Sequence, residues 1–156
     1  MSRVQLALRV PDLEKSVEFY AKLFGTAPAK RRPGYANFAI DEPALKLVLI
    51  EGEPGTATAL DHLGVEVFST DEVTAATTRL QESGLLTAAE QDTECCYALQ
   101  DKVWVRGPGA EPWEVYVVKG EADHLDKATG SVCCAPAAEA AAESGQVKQS
   151  AGAGCC

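Results

Sequence analysis

No stretch of this chain is long and apolar enough to span a bilayer. The segment Met1-Ser2-Arg3-Val4-Gln5-Leu6 has neither an apolar h-region nor a small-residue cleavage site. Neither membrane insertion nor export is expected, so the protein is expected to work in the cytoplasm. Positive charge is short as well: 14 Lys and Arg stand against 23 Asp and Glu, for a formal net charge of -9 and a pI near 4.7. A surface of that sign repels phosphate backbones and anionic lipid, which argues against nucleic acid and membranes as partners. Familiar motifs are missing too. There is no Gly-rich phosphate loop, no nucleophile elbow and no CxxC spacing of a zinc or thioredoxin site.

What is present suits one compact domain: 156 residues, of which 46% are hydrophobic, enough to fill a core. The six cysteines form three adjacent pairs, Cys95-Cys96, Cys133-Cys134 and Cys155-Cys156. Sequence neighbours make poor structural bridges, because the loop they close is too short for relaxed geometry and removes little chain entropy. In a reducing compartment they read as soft-atom ligands or redox thiols.

The chain divides near Gly120. Beyond it Ala, Gly, Ser, Glu and Lys dominate and large apolar side chains nearly vanish, so residues 121–156 read as a disordered tail. His124 falls there and reads as a solvated residue; the tail thiols could capture a soft ion or bind nothing specific. Before Gly120 there is an internal repeat. Val4 to Val10 aligns with Asp61 to Val67, and both alternate with the period of a half-buried strand. An acidic helix start follows each. Asp12 is expected to cap a helix carrying Leu13, Val17, Phe19, Tyr20 and Leu23, and Asp71 one carrying Val73, Ala76 and Leu80. The helices end at Gly25 and Gly84. Further strands are expected at Tyr35 to Ile40 and Leu45 to Ile50 in the first half. In the second they are expected at Leu86 to Ala89, Cys96 to Leu99, Val103 to Arg106 and Trp113 to Val118, with turns at Gln100-Asp101 and Gly107-Pro108-Gly109. The fold class is therefore α+β, two tandem βαβββ modules at about 1–55 and 58–120.

The repeat places Gln5 and His62 at equivalent points of their first strands, on a mixed face with Ala7, while Leu6, Leu8 and Val10 share an apolar face. Glu114 lies on the last strand of the second module. An imidazole, a carboxylate and an amide carbonyl brought together would suit Fe(II), with Mn(II), Ni(II) or Zn(II) as competitors. Periodicity alone equally allows a surface His, a surface Glu and a strand-edge Gln. Cys95-Cys96 is expected at a strand start. Neighbouring side chains on a regular strand point to opposite faces, so both sulfurs can grip one atom only if the backbone is distorted there. A buried small hydrophobe at Cys96 is the alternative. Lys102 is expected on a loop, either closing over an anionic group or exposed. Trp104, Trp113 and Tyr116 read as core.

Taken together, the repeat, Gln5, His62, Cys95-Cys96 and Glu114 resemble the vicinal oxygen chelate superfamily of glyoxalases, bleomycin-resistance proteins and extradiol dioxygenases. Pro33 to Ile40, Leu45 to Leu49, Asp61 to Val67, Cys95 to Val105 and Trp113 to Tyr116 look like ArsI carbon-arsenic lyases and the related cadmium-induced proteins. The resemblance implies an Fe(II) site of Gln5, His62 and Glu114. It implies that Cys95 and Cys96 bind a trivalent organoarsenical beside the metal; Cys95, Cys96 and Lys102, by its expected place near Cys96, are the catalytic candidates. Dioxygen would be consumed in cleaving the carbon–arsenic bond, giving arsenite and, from methylarsenite, formaldehyde. Many metal-dependent relatives carry His where Gln5 stands, and Lys46 takes the place in module one that Glu114 takes in module two, which argues against a four-ligand glyoxalase site. A non-enzymatic cadmium or arsenite binder, a metal-free drug-binding module, and monomer against homodimer all stay open at this point.

Overall fold

The structure is a computed structural model that describes residues 2–123 and 125. The expectations for His124 and for Cys133, Cys134, Cys155 and Cys156 lie outside those residues. Eight strands and two helices run in the order β1 (Arg3–Val10), α1 (Leu13–Phe24), β2 (Lys30–Arg32), β3 (Tyr35–Ile40), β4 (Leu45–Glu51), β5 (Ala59–Glu66), α2 (Thr70–Glu82), β6 (Thr87–Cys95), β7 (Ala98–Arg106) and β8 (Pro112–Glu121). This is βαβββ twice, as the repeat implies. The strands form one curled sheet in the order β2-β3-β4-β1-β5-β8-β7-β6, so the modules join where their first strands pair antiparallel.

The register of that seam explains the repeat. Leu6 stands opposite Leu63, its own counterpart, and the pseudo-twofold axis therefore passes between them. Gln5 pairs with Gly64 and His62 with Ala7, so Gln5 and His62, 57 positions apart, flank the axis on one face. Each β1-type strand also pairs parallel with the last strand of its own module: Gln5 lies beside Lys46, and Gly64 beside Glu114.

Strand alternation divides the molecule into two environments. On the outer face Val10, Ala36, Phe38, Leu47 and Leu49 pack with Leu13 and Val17 of α1. In module two, Val103 and Val117 pack with Val73 and Leu80 of α2. On the inner face the opposite-parity residues of the same strands enclose a cavity. Asp12 caps α1 by accepting from Lys15 N, and Gly25 ends it in the left-handed conformation (φ 64), where a Cβ would be strained.

Several expectations need correction. α2 is capped by Ser69, not Asp71. Ser69 Oγ accepts from Glu72 N, and the Glu72 carboxylate accepts from Phe68 N, a variant of the capping box in which the carboxylate reaches the residue before the cap. The helix ends at Ser83, and Gly84 follows at φ 78. Phe19 and Leu23 lie on the exposed side of α1, not in its core stripe. The three-residue strand β2, all Lys and Arg, has no alternation to reveal it. Module two has three long strands in place of four short ones. Gln100-Asp101 is not a turn but the middle of β7, where the Asp101 carboxylate accepts from Thr70 Oγ1, Asp92 N and Lys119 Nζ and so can be buried in a strand. Leu86, expected in a strand, precedes β6 and is 94% exposed.

Candidate functional site

Gln5 on β1, His62 on β5 and Glu114 on β8 all face inward, and each is at least 95% buried. Gln5 Nε2 lies 2.9 Å from His62 Nε2 and donates to Glu114 Oε1 at 2.9 Å; His62 Nε2 and Glu114 Oε1 are 3.4 Å apart. Gly64 makes this crowding possible. A Cβ there would stand 3.2 Å from Glu114 Cγ and 3.3 Å from both Gln5 Cβ and the Tyr116 ring.

A second ring of contacts orients these groups. Tyr116 donates its hydroxyl to Gln5 Oε1 at 2.5 Å, so the Gln5 amide N–H points inward and His62 Nε2 must accept. The ring proton then sits on Nδ1, shared with Asp61 at 2.5 Å, and Asp61 is itself held by Arg9 at 2.6 Å. Burial works against a charged imidazole, but Glu114 and Asp61 outweigh it and push the His62 pKa up to about 9. A second proton on Nε2 requires the Gln5 amide to turn over. The same turn would present Oε1 to a cation.

Burial also works against ionisation of Glu114, yet Lys102 and His62 hold it well below the usual carboxylate range. Lys102 is not on a loop and not exposed: it lies in β7, 1% exposed. Its ammonium donates to Glu114 Oε2 at 2.9 Å and sits 5.2 Å over the Trp104 ring. The alternation Gln100, Lys102, Trp104 puts all three on the inner face, a parity that the turn-like composition of Gln100-Asp101 obscures.

The cysteine pair falls at the end of β6, not at a strand start. Cys95 closes the strand opposite Ala98, and Cys96 and Tyr97 form the two-residue loop with φ of 54 and 60. Positive φ at both loop positions is the signature of a type I′ hairpin turn, normally filled by Asn and Gly, so Cys and Tyr carry strain of about 1–2 kcal/mol each. The backbone thus leaves the strand where two neighbouring sulfurs need it to, and they stand 3.2 Å apart. Module one holds this tip. Lys30 Nζ donates to Tyr97 O, the Tyr97 hydroxyl donates to Pro33 O, and the rings of Tyr35 and Tyr97 meet edge to face. Cys95 is fully buried against Trp104, whose indole meets the His62 ring at 5.6 Å. Cys95 is disulfide-bonded in this structure, and Cys96 at 3.2 Å is beyond the roughly 2.05 Å of an S–S bond. The pair therefore needs reduction before both sulfurs can take a ligand.

Cys96, Gln100, Lys102, Gln5, His62 and Glu114 line one cavity of about 560 Å³. Gln100 donates to Cys95 O at 3.3 Å, and its buried Oε1 has no hydrogen-bond partner among the described residues. Tyr116, Trp104, Asp61 and Gln100 join the site without being expected there from the sequence. For Tyr116 the available signal is its two-residue spacing from Glu114; for Asp61, its adjacency to His62.

With the Gln5 amide turned so that Oε1 takes the place of Nε2, three donors of different chemistry at separations near 2.9, 2.9 and 3.4 Å would fit a single metal ion. Metal–ligand bonds of about 2.1 Å at right angles place neighbouring donors about 3.0 Å apart. Among the described residues no cluster of three or more His, Cys, Asp or Glu could hold a metal; here the third donor is an amide.

Comparison with known proteins agrees with this architecture. The chain is 67% identical to a trivalent organoarsenical cleaving enzyme of Thermomonospora curvata, over all of both chains. It is 56% identical to the cadmium-induced protein CadI of Mycobacterium bovis, over 86% of this chain and 93% of that one. Among solved structures, homoprotocatechuate 2,3-dioxygenase from Brevibacterium fuscum matches with a TM-score of 0.55 at 24% identity, across 79% of this chain and 38% of the other, a likeness of fold. Residues 3–115 match the sequence pattern of the Glyoxalase/Bleomycin resistance protein/Dioxygenase superfamily, and the chain belongs to that family.

Proposed function

We propose that this protein is an Fe(II)-dependent, dioxygen-using carbon–arsenic lyase that breaks down trivalent organoarsenicals. The observation that carries this reading is one cavity lined by Cys96, whose sulfur lies 3.2 Å from that of the buried Cys95, and by an amide, an imidazole and a carboxylate spaced for one metal ion. The 67% identity to an enzyme named for cleaving such compounds supports it.

Gln5, His62 and Glu114 would hold the iron, which when bound supplies the activation of dioxygen that organic side chains lack. Asp61 keeps the proton of neutral His62 on Nδ1 and so leaves the Nε2 lone pair as a ligand. Lys102 donates to Glu114 Oε2 and holds that carboxylate ionised. Once reduced, Cys95 and Cys96 each replace one hydroxyl of the arsenical: two As–O bonds give way to two As–S bonds, and each S–H proton leaves with the hydroxyl as water. Arsenic stays trivalent, with its carbon substituent still attached. Trp104 and Tyr116 wall off the ligand set from bulk water.

The test is to reduce the protein, load it with Fe(II) without oxygen, and then supply methylarsenite and oxygen. Formaldehyde and arsenite should appear with oxygen uptake, and only with iron. A purely sequestering role is the second reading, favoured by the sulfur pair and by the cadmium-induced relatives. It expects arsenical or cadmium bound without turnover, and most of that capacity lost on truncation after Leu125.

A further inference from the structure

The whole protein has a net charge of -9, yet its cavity is positive. Arg3, Lys30, Arg31, Arg32, Lys46 and Lys102 line it, against three carboxylates, Glu66, Glu114 and Glu121. Two of those carboxylates are shared by two cationic side chains: Glu66 bonds both Arg3 and Lys46, and Glu121 faces both Lys30 and Arg32, while Glu114 bonds Lys102. Arg31 pairs with Glu14, which lies outside the cavity lining. An acidic protein that concentrates six cations in one concavity has arranged its field there against its overall charge, and a cleft focuses such a field on an incoming anion.

Size points the same way. A cavity of about 560 Å³ lies in the range of roughly 300–1,000 Å³ that takes drug-sized ligands, far beyond what arsenic and one methyl group need. Arg32 is the cation best placed to serve a ligand. Its side chain is half-exposed, and its guanidinium reaches Glu121 only at 4.0 Å, while Lys30 holds that carboxylate more closely. A guanidinium so placed can turn to a carboxylate in a two-pronged contact. Lys46, on the inner face beside Gln5, adds the second surplus charge.

Resting on the proposed arsenical chemistry, we infer that the cavity selects trivalent organoarsenicals carrying an anionic acid group set apart from arsenic, which Arg32 and Lys46 recognise. The acid can belong to the carbon substituent, as in a carboxyphenyl arsenical, or to an acidic carrier thiol bound to arsenic. In the second case delivery is an exchange without oxidation: each cysteine Sγ forms an As–S bond as a carrier As–S bond breaks, and the cysteine proton passes to the departing thiolate.

Binding to the reduced, metal-free full chain tests this, read as quenching of tryptophan fluorescence, with Trp104 packed on Cys95. Titrations compare 4-carboxyphenylarsenite with phenylarsenite, and phenylarsenite precharged on glutathione with phenylarsenite precharged on mercaptoethanol. The wild-type protein should bind the carboxyphenyl compound about tenfold more tightly, or take up the glutathione adduct about tenfold faster, and 0.5 M salt should erode the preference. Whichever arm shows the preference identifies the source of the acid. Arg32→Gln and Lys46→Met should each bring the ratio towards one, whereas Lys22→Gln, an equal charge change on the exposed side of α1, should leave it intact. Equal handling of acidic and neutral forms by the wild type, or a preference that survives both cavity substitutions, overturns the inference. If phenylarsenite itself does not bind, the arsenical reading fails and takes this one with it; if phenylarsenite binds and no preference appears, only this inference fails.

Discussion

The two modules share one fold and divide the work unequally. Module two supplies His62, Glu114, Lys102, Trp104 and the cysteine hairpin; module one supplies Gln5 and the basic strand β2, and holds the hairpin tip through Lys30, Pro33 and Tyr35. A duplicated fold needs both halves for its core, because each helix covers only its own half of the outer face. The site needs both for another reason: Gln5 and His62 meet only because the first strands pair antiparallel about Leu6 and Leu63.

The sharpest way to break the comparison is Glu114→Gln in module two. It removes the negative charge from the proposed metal-holding set and leaves the Lys102 ammonium buried without the Glu114 carboxylate. A loss of about 3–5 kcal/mol is expected in denaturant unfolding, together with loss of stoichiometric iron. Leu47→Ala in module one, on the outer face, should cost a comparable or slightly smaller 2–5 kcal/mol or so. It should leave iron stoichiometry unchanged below the melting transition; iron lost in step with stability would mean that core and site are not separable.

Cys96→Ser, at a half-buried position packed beside Cys95 and Trp104, should change stability by no more than about 1 kcal/mol yet abolish tight arsenical binding while the iron content stays constant. Unaltered arsenical affinity would remove the sulfur pair from the mechanism. Gly64→Ala pushes a methyl group against Glu114 and Gln5 at 3.2–3.3 Å. It should cost about 1–3 kcal/mol and weaken iron binding, whereas Gly25→Ala at the end of α1 should leave iron binding alone.

The gentlest perturbation is one of pH, which changes no side chain. In the metal-free protein the His62 pKa is raised from 6.5 to about 9, so the folded state holds this proton more tightly than the unfolded chain. The stability it contributes is complete below about pH 6.5 and is lost as pH rises through about 9. Thermal melts of metal-free protein should show that decline, and melts of iron-loaded protein should not, since a cation at Nε2 takes the place of the proton.

The sequence reading went furthest where the signal was periodic and local. Alternation in Val4 to Val10 and Asp61 to Val67, Asp12 before an apolar stripe and Gly25 after it were enough to read the two modules and α1. It failed where a side chain's surroundings come from distant parts of the chain. Gln100-Asp101 has turn composition, but Asp101 is satisfied by Thr70 and Lys119, which only α2 and β8 bring within reach. Lys102 looked exposed because its partner lies on another strand.

By itself, then, the sequence determined two βαβββ modules, the shared face of Gln5 and His62, and the need for a backbone break at Cys95-Cys96, because strand parity and helix capping act over a few residues. Tertiary structure alone decided that the break is a strained two-residue turn held from the other module. It also decided that Lys102 is buried on Glu114, and that an acidic chain encloses a cationic cavity. Those outcomes depend on which strands become neighbours, and pairing across tens of residues sets the burial, the distances and the field that no local pattern contains.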